Sequence, residues 1–404
     1  MTPAPRPRLE VVDIVRAAGT RYRETHATML SHSQRRVLSA IERCRTVALG
    51  GHVEACERCA HQRIAYNSCR NRHCPKCQSL AKAQWLADRQ AELLPVPYFH
   101  VVFTLPHELA PIAYHNPRVV YGLLFRAAAE TLRTIAADPK HLGVQLGFLA
   151  ILHTWDQTLL YHPHLHCVVA GGGLAPDGTR WIACRPGFFL PVRVLSRLFR
   201  RLFLTFLQEA FDRQQLHFFA DVTHLADPQA FAQYFAPLQQ REWVVYAKAP
   251  FGGAEHILDY LARYTHRVAI SNSRLVAMTP ETVTFHYRDS RLHDQRKLLT
   301  LTHEEFLRRF LLHVLPEGFQ RIRHYGFLSN CRRTEQLTLC RRLLGVATAT
   351  VLSIVAQGDY RAQYEQVTGH SLERCPVCGQ GQMRIVSLLA RCSLRSPPQP
   401  QDTS

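Results

Sequence analysis

Long apolar runs are missing from this chain. The longest clear one, Leu146–Leu152, is far short of the roughly 18 residues that a membrane-crossing helix needs, which excludes a helical membrane protein. Acidic residues are scarce: 31 Asp and Glu stand against 49 Lys and Arg in 404 residues, a formal net charge of +18. An imbalance of that sign points to a polyanionic partner, with nucleic acid first among them. The opening residues, Met1-Thr-Pro-Ala-Pro-Arg-Pro-Arg8, contain no apolar signal core, so export is not expected and the cytoplasm is the expected compartment. No internal repeat is present. There is no His-Glu-x-x-His, and no His-x-Glu ahead of a Pro-Cys-x-x-Cys, which argues against metalloprotease and zinc-deaminase chemistry.

What remains has an ordinary globular composition, 47% hydrophobic and 20% charged, and is long enough for two to four domains. Apolar residues at helical spacing (Val12, Val15, Leu30, Val37, Ile41) predict a helical stretch over 11–44, and a second helix is expected over 79–94 before Pro95-Val-Pro97. From Tyr98 the pattern alternates between strands and helices. Strands are expected at 99–104, 146–157, 164–170, 181–184 and 242–249, with helices at 117–136, 192–214 and 255–266. Short strands follow at 268–271, 275–278 and 282–287, then a mostly helical region to about residue 356 and a Pro/Ser/Gln-rich tail. The fold class is α+β.

Six of the 13 cysteines fall between Cys44 and Cys77. Clustering in C-x-x-C pairs on a chain without an export signal indicates metal binding rather than disulfides. Cys56-Glu-Arg-Cys59 and Cys74-Pro-Lys-Cys77 have the spacing of a zinc ribbon, each pair a tight turn presenting two thiolates to one tetrahedral ion. Cys69 and His73 are possible extra ligands, and Cys44 and His52 are surplus to a four-ligand site. The block holds little apolar surface, so the metal is expected to fold it. From His61 to Ala87 there are five basic residues and no acid, so Arg70, Arg72 and Lys76 are expected on DNA phosphates. Cys375-Pro-Val-Cys378 resembles half of another site, with only Cys392 and His370 nearby in sequence.

A second constellation begins at His162-Pro-His164-Leu165-His166. In a strand, His164 and His166 share a face while Leu165 and Cys167 enter the core. Two imidazoles side by side form a divalent-metal site that needs a third ligand; solvent-facing histidines on an edge strand are the bland alternative. Downstream, Tyr260, Arg263, Tyr264 and Arg267 fall on one helix face at i, i+3, i+4 and i+7. A tyrosine is a poor nucleophile at its free pKa of about 10 and needs an electrophile activated by a metal and nearby cations.

Together these motifs resemble the rolling-circle transposases of the insertion sequence 91 family, two-tyrosine members of the HUH (His-hydrophobe-His) endonucleases. The resemblance extends through Leu49-Gly-Gly-His52, Tyr66–Cys77, Phe99-His-Val-Val-Phe-Thr-Leu-Pro106, Phe189-Leu-Pro-Val192 and His324-Tyr-Gly-Phe327. It implies an N-terminal helix plus zinc-binding domain (1–94), an HUH nuclease/transposase domain with an antiparallel sheet (95–292), a helical C-terminal region (293–356), and a last part with a second zinc knuckle and a disordered tail (357–404). It implies Mg²⁺ or Mn²⁺ on His164 and His166, structural Zn²⁺ on Cys56, Cys59, Cys74 and Cys77, and Tyr260 and Tyr264 as nucleophiles. Gln157 is the first choice for third ligand, ahead of Asp156, His162 and Asp259. Arg263 and Arg267 are expected on phosphate. The implied reaction nicks and rejoins single-stranded DNA at element ends through a 5′-phosphotyrosine. A non-catalytic zinc-dependent DNA-binding regulator and an HUH replication initiator or relaxase stay open as alternatives.

Overall fold

A computed structural model describes residues 9–77, 79–187, 189–248, 269–289, 295–346, 365 and 371–392. The helical N-terminus is two helices rather than one, α1 (Val11–Thr25) and α2 (His32–Arg43). The break follows from Ser31, whose hydroxyl accepts from the Gln34 amide while the Gln34 side chain returns to the Ser31 amide, starting α2 afresh. The chain continues through β1 (Gly51–Cys56), β2 (Gln62–Tyr66), α3 (Ser79–Ala91), β3 (Tyr98–Thr104), α4 (Ala110–His115) and α5 (Pro117–Ala137). Next come β4 (Gln145–Trp155), β5 (Tyr161–Leu174), β6 (Trp181–Ala183), α6 (Val192–Asp212), α7 (Pro228–Gln240) and β7 (Val245–Lys248). The last described elements are β8 (Leu275–Met278), β9 (Thr282–Asp289), β10 (Gln295–Thr302), α8 (His303–Leu312), β11 (Ile322–Gly326), α9 (Arg333–Leu343) and β12 (Met383–Leu389).

The central sheet runs β11-β4-β5-β3-β7 with β6 beside the far end of β5, and all its pairings are antiparallel. This is the α+β architecture expected. Strand alternation divides its residues cleanly. Phe99, Val101, Phe103, Phe148, Ala150, Leu152, Leu165, Cys167 and Val169 form one buried face under α5 and α6. Burial of an aromatic or branched side chain stabilises by roughly 1.5–3 kcal/mol, so this face dominates the core. On the other face Tyr98, Leu149, Ile151, Val168 and Ala170 pack with Leu94, Phe327, Leu337 and Cys340.

The region expected to be helical after residue 293 contains strands. β10 pairs with β9 in the sheet β10-β9-β8, so a boundary at 292/293 would divide a hairpin. β11 is the edge of the central sheet, and its short Ile322-Arg-His-Tyr-Gly326 run carries too few apolar residues to announce a strand. The His324-Tyr-Gly-Phe327 motif finds its role here: a Cβ on Gly147 would strike the Phe327 ring, so Gly147 leaves the space that Phe327 fills. β12 joins β1 and β2 in a third sheet, ordered β12-β1-β2. Among the described residues no helix is long and apolar enough to cross a membrane.

Candidate metal centre and zinc module

His164 and His166 share one face of β5, as strand alternation requires, and lie on a central strand rather than an edge. Their Nε2 atoms are 3.0 Å apart. Directly across on β4, His153 pairs with His164 in register, and its ring centroid is 4.3 Å from that of His166. Ring nitrogens of all three lie within 4.8 Å of one another. It is therefore His153, not Gln157, that stands against the pair. Gln157 is exposed in the turn between β4 and β5, where its main-chain carbonyl accepts from Arg274. Asp156 is committed to the same turn: its Oδ1 accepts from the amides of Thr158 and Leu160, each at 2.8 Å. That capping holds buried Leu159 at a φ of 66°, a left-handed conformation costly for a branched side chain. The turn closes β4 onto β5, with an irregularity in the ladder between Trp155 and the His153–His164 pair.

The partners of these rings decide which nitrogens are free to bind a cation. His164 Nδ1 lies 2.7 Å from the His162 carbonyl, which only accepts, so Nδ1 carries the proton and Nε2 presents a lone pair. His166 Nδ1 lies 2.8 Å from His100 Nε2 on β3. Without a cation, a proton on His166 Nε2 bridges to His164. With one, the proton would belong on Nδ1, where His100 would accept it, leaving the Nε2 atoms of His164 and His166 as the donors that would hold the ion. Burial pushes the His164 and His100 pKa values down to about 4 and that of His166 well below the ordinary value. All three are neutral at pH 7, the form that ligates metals. The donor set fits a divalent transition ion. Three imidazoles suit Mn²⁺ better than Mg²⁺, which favours oxygen ligands. Sequence reasoning missed both His153 and His100, because only strand pairing brings them beside β5.

The expected zinc set Cys56, Cys59, Cys74 and Cys77 is not brought together. The structure divides these residues between two clusters, Cys44/Cys69/Cys74/Cys77 and Cys56/Cys59/Cys375/Cys378. In the first, Cys44 at the end of α2 and Cys69 after β2 complete the Cys74/Cys77 turn. Cys69 Sγ and Cys77 Sγ are 3.6 Å apart, close to the edge of about 3.8 Å in a tetrahedron with ~2.3 Å Zn–S bonds. The thiols cannot all ionise unaided. Hydrogen bonding from Cys69 and Cys74 pulls the Cys44 thiol down, and the neighbouring Cys44 and Cys69 push Cys74 up. Such a crowd of sulfurs fits structural Zn²⁺. His73 lies outside it: the ring is buried, and its Nε2 accepts from the Leu315 amide at 3.2 Å.

Two of the expected phosphate contacts are also used internally. Arg72 donates to the main-chain carbonyls of Phe319 at 2.7 Å and Pro316 at 3.2 Å, and Lys76 pairs with Glu10 at 2.6 Å. Arg70 alone of the three is exposed. Tyr260, Arg263, Tyr264 and Arg267 lie outside the described residues. In sequence they follow β7, which borders β3 and is thereby two strands from β5.

Against known proteins, the family model described as "Putative transposase" matches residues 147–335, and "Transposase zinc-binding domain" matches residues 14–105. The first match contains the three histidines; the second contains Cys44, Cys56, Cys59, Cys69, Cys74 and Cys77 but not Cys375 or Cys378. The chain is 61% identical to "Putative transposase y4qJ" of Sinorhizobium fredii over 98% of both sequences. It is 29% identical to "Transposase for insertion sequence element IS801" of Pseudomonas savastanoi pv. phaseolicola, over 71% of this chain and 68% of that one. No solved structure matches.

Proposed function

The chain belongs to the insertion sequence 91 family of transposases, with an N-terminal zinc-binding domain, and from that premise we propose that it nicks and rejoins single-stranded DNA at element ends through a 5′-phosphotyrosine. The observation that carries this reading is the convergence of His153, His164 and His166 from two adjacent central strands. These residues would hold Mn²⁺ or Mg²⁺, which supplies charge to polarise the scissile phosphate.

The chain's own groups do the rest. The hydroxyl of Tyr260 or Tyr264 attacks phosphorus and loses its proton, the bond to the 3′ oxygen breaks, and a 3′-OH leaves with the 5′ end on tyrosine. The second tyrosine allows another strand to be cleaved while the first stays covalently held. A 3′-OH then attacks the phosphotyrosine and restores the phosphodiester, so joining needs no ATP. Arg263 and Arg267 are assigned to the phosphate, His100 to holding the proton of His166, and the His162 carbonyl to orienting His164. The zinc module is assigned to element DNA, and the protein to the cytoplasm with the nucleoid.

Incubation with labelled single strands of element-end sequence and Mn²⁺ is expected to give a covalent protein–DNA adduct. It should vanish with chelator and in the Tyr260→Phe/Tyr264→Phe double variant. An adduct that survives both substitutions would remove these tyrosines from the reaction. No adduct with either element end would favour a DNA-binding regulator.

A further inference from the structure

Two C-x-x-C turns, whose nearest cysteines Cys59 and Cys375 are 316 positions apart in sequence, face one another and repeat one another's geometry. In the first, the Arg58 amide donates to Cys56 Sγ at 3.4 Å and the Ala60 amide to the Cys56 carbonyl at 3.1 Å. In the second, the Val377 amide donates to Cys375 Sγ at 3.4 Å and the Gly379 amide to the Cys375 carbonyl at 3.0 Å. Ala60 and Gly379 occupy the same place after the second cysteine, and both are left-handed, with φ of 55° and 66°. Amides directed at sulfur stabilise thiolate, which is the ligand form.

The pairs interlock. Cys56 Sγ is 3.7 Å from Cys378 Sγ, and Cys59 Sγ is 3.7 Å from Cys375 Sγ, the edge length expected around a tetrahedral zinc ion. All four sulfurs lie within 4.8 Å of one another. A Cβ on Gly381 would strike Cys56 Sγ, so the second turn closes over the first only because that residue is glycine. Among the described residues, the other ties of this segment to the module are polar, such as the Arg63 guanidinium donating to the Leu372 carbonyl at 3.0 Å and the Glu57 amide to the Gln382 carbonyl at 3.0 Å. β12 pairs with β1, but Ile385, Val386 and Leu388 are 58%, 56% and 81% exposed, so the strand buries few of its apolar side chains.

We propose that Cys56, Cys59, Cys375 and Cys378 bind a second structural zinc ion, a clasp that joins the C-terminal strand to the N-terminal zinc module. The module is then assembled from both ends of the chain, and its second ion depends on residues beyond the matched zinc-binding domain. The assignment is independent of the tyrosine chemistry, since it concerns only sulfur and metal.

The test uses the full-length chain, wild type and double-serine variants. Alkylation of the zinc-loaded chain, read by mass spectrometry, should find Cys56, Cys59, Cys375 and Cys378 at least tenfold slower than exposed Cys331. A chelator should release those four together. Zinc measured by elemental analysis should fall by one ion per chain in Cys375→Ser/Cys378→Ser and by a different one in Cys44→Ser/Cys69→Ser. Alkylation of Cys375 and Cys378 at the Cys331 rate overturns the clasp, and so does a disulfide between the two turns. Loss of the tyrosine adduct in any of these experiments leaves the zinc count unaffected, so the two readings fail separately.

Discussion

Replacing Arg72 by methionine separates a structural arginine from a DNA-binding one. Its guanidinium donates two hydrogen bonds, to the carbonyls of Phe319 and Pro316, and so ties the zinc module to the loop after α8. Hydrogen bonds from a charged donor contribute about 1.5–3 kcal/mol each. Arg72 is only half-buried, so water can replace part of what is lost; a fall of about 2–4 kcal/mol in unfolding free energy is expected, read by urea denaturation. Methionine keeps the stem, so the loss reports the donors rather than packing. DNA affinity measured against salt should keep its slope in the variant, because no phosphate contact has been removed. Arg70→Met is the counterpart: this exposed residue should change stability by less than about 0.5 kcal/mol while reducing the slope by ~0.7 on single strands. The reverse pattern, a stable Arg72→Met with a lower salt slope, would refute the assignment and return Arg72 to the DNA.

Other expectations concern the histidine centre. His100→Phe removes the acceptor that keeps the His166 proton on Nδ1; Mn²⁺ affinity, followed by loss of the free-ion paramagnetic signal, should weaken about 10–100-fold, and unchanged affinity would dismiss His100 as a positioning residue. Stability should also fall in acid. Burial pushes His100, His164 and His313 down to about 4 and His73 to about 3. The unfolded chain therefore takes up protons below about 6.5 while these folded sites still refuse them, at a cost of the order of 3 kcal/mol per group once pH has passed through the folded values. Denaturation midpoints should drop steadily from about pH 6.5 towards pH 4; a flat profile there would mean that the rings are hydrated.

What the residues disclosed on their own was whatever repeats at short range. His164 and His166 were legible because alternation puts i and i+2 on one face. His153 was not, since a histidine ending an apolar strand looks like a buried residue until register sets it opposite His164. The cysteine pairs were readable as metal turns, but spacing says nothing about which turn meets which. Cys44 closes one site from a helix end, and Cys375/Cys378 close the other from across the chain. Arg72 and Lys76 show the same limit for charge: a basic run announces cations, while their carbonyl and carboxylate partners lie far away in sequence. Strands β10, β11 and β12 were hidden because all three are sheet edges and bury few of their side chains.

The β12-β1-β2 sheet also orders events during synthesis. Once β1 and β2 leave the ribosome they can form their hairpin, yet the outer edge of β1 and the thiols of Cys56 and Cys59 must wait for Cys378, 322 residues later. At about 5–20 residues per second that interval lasts roughly a quarter of a minute to a minute. Throughout it the nascent chain carries an open strand edge beside two uncommitted sulfurs. A chain that stops short of β12 stays in this state, so completion of the zinc module requires translation at least through Leu389.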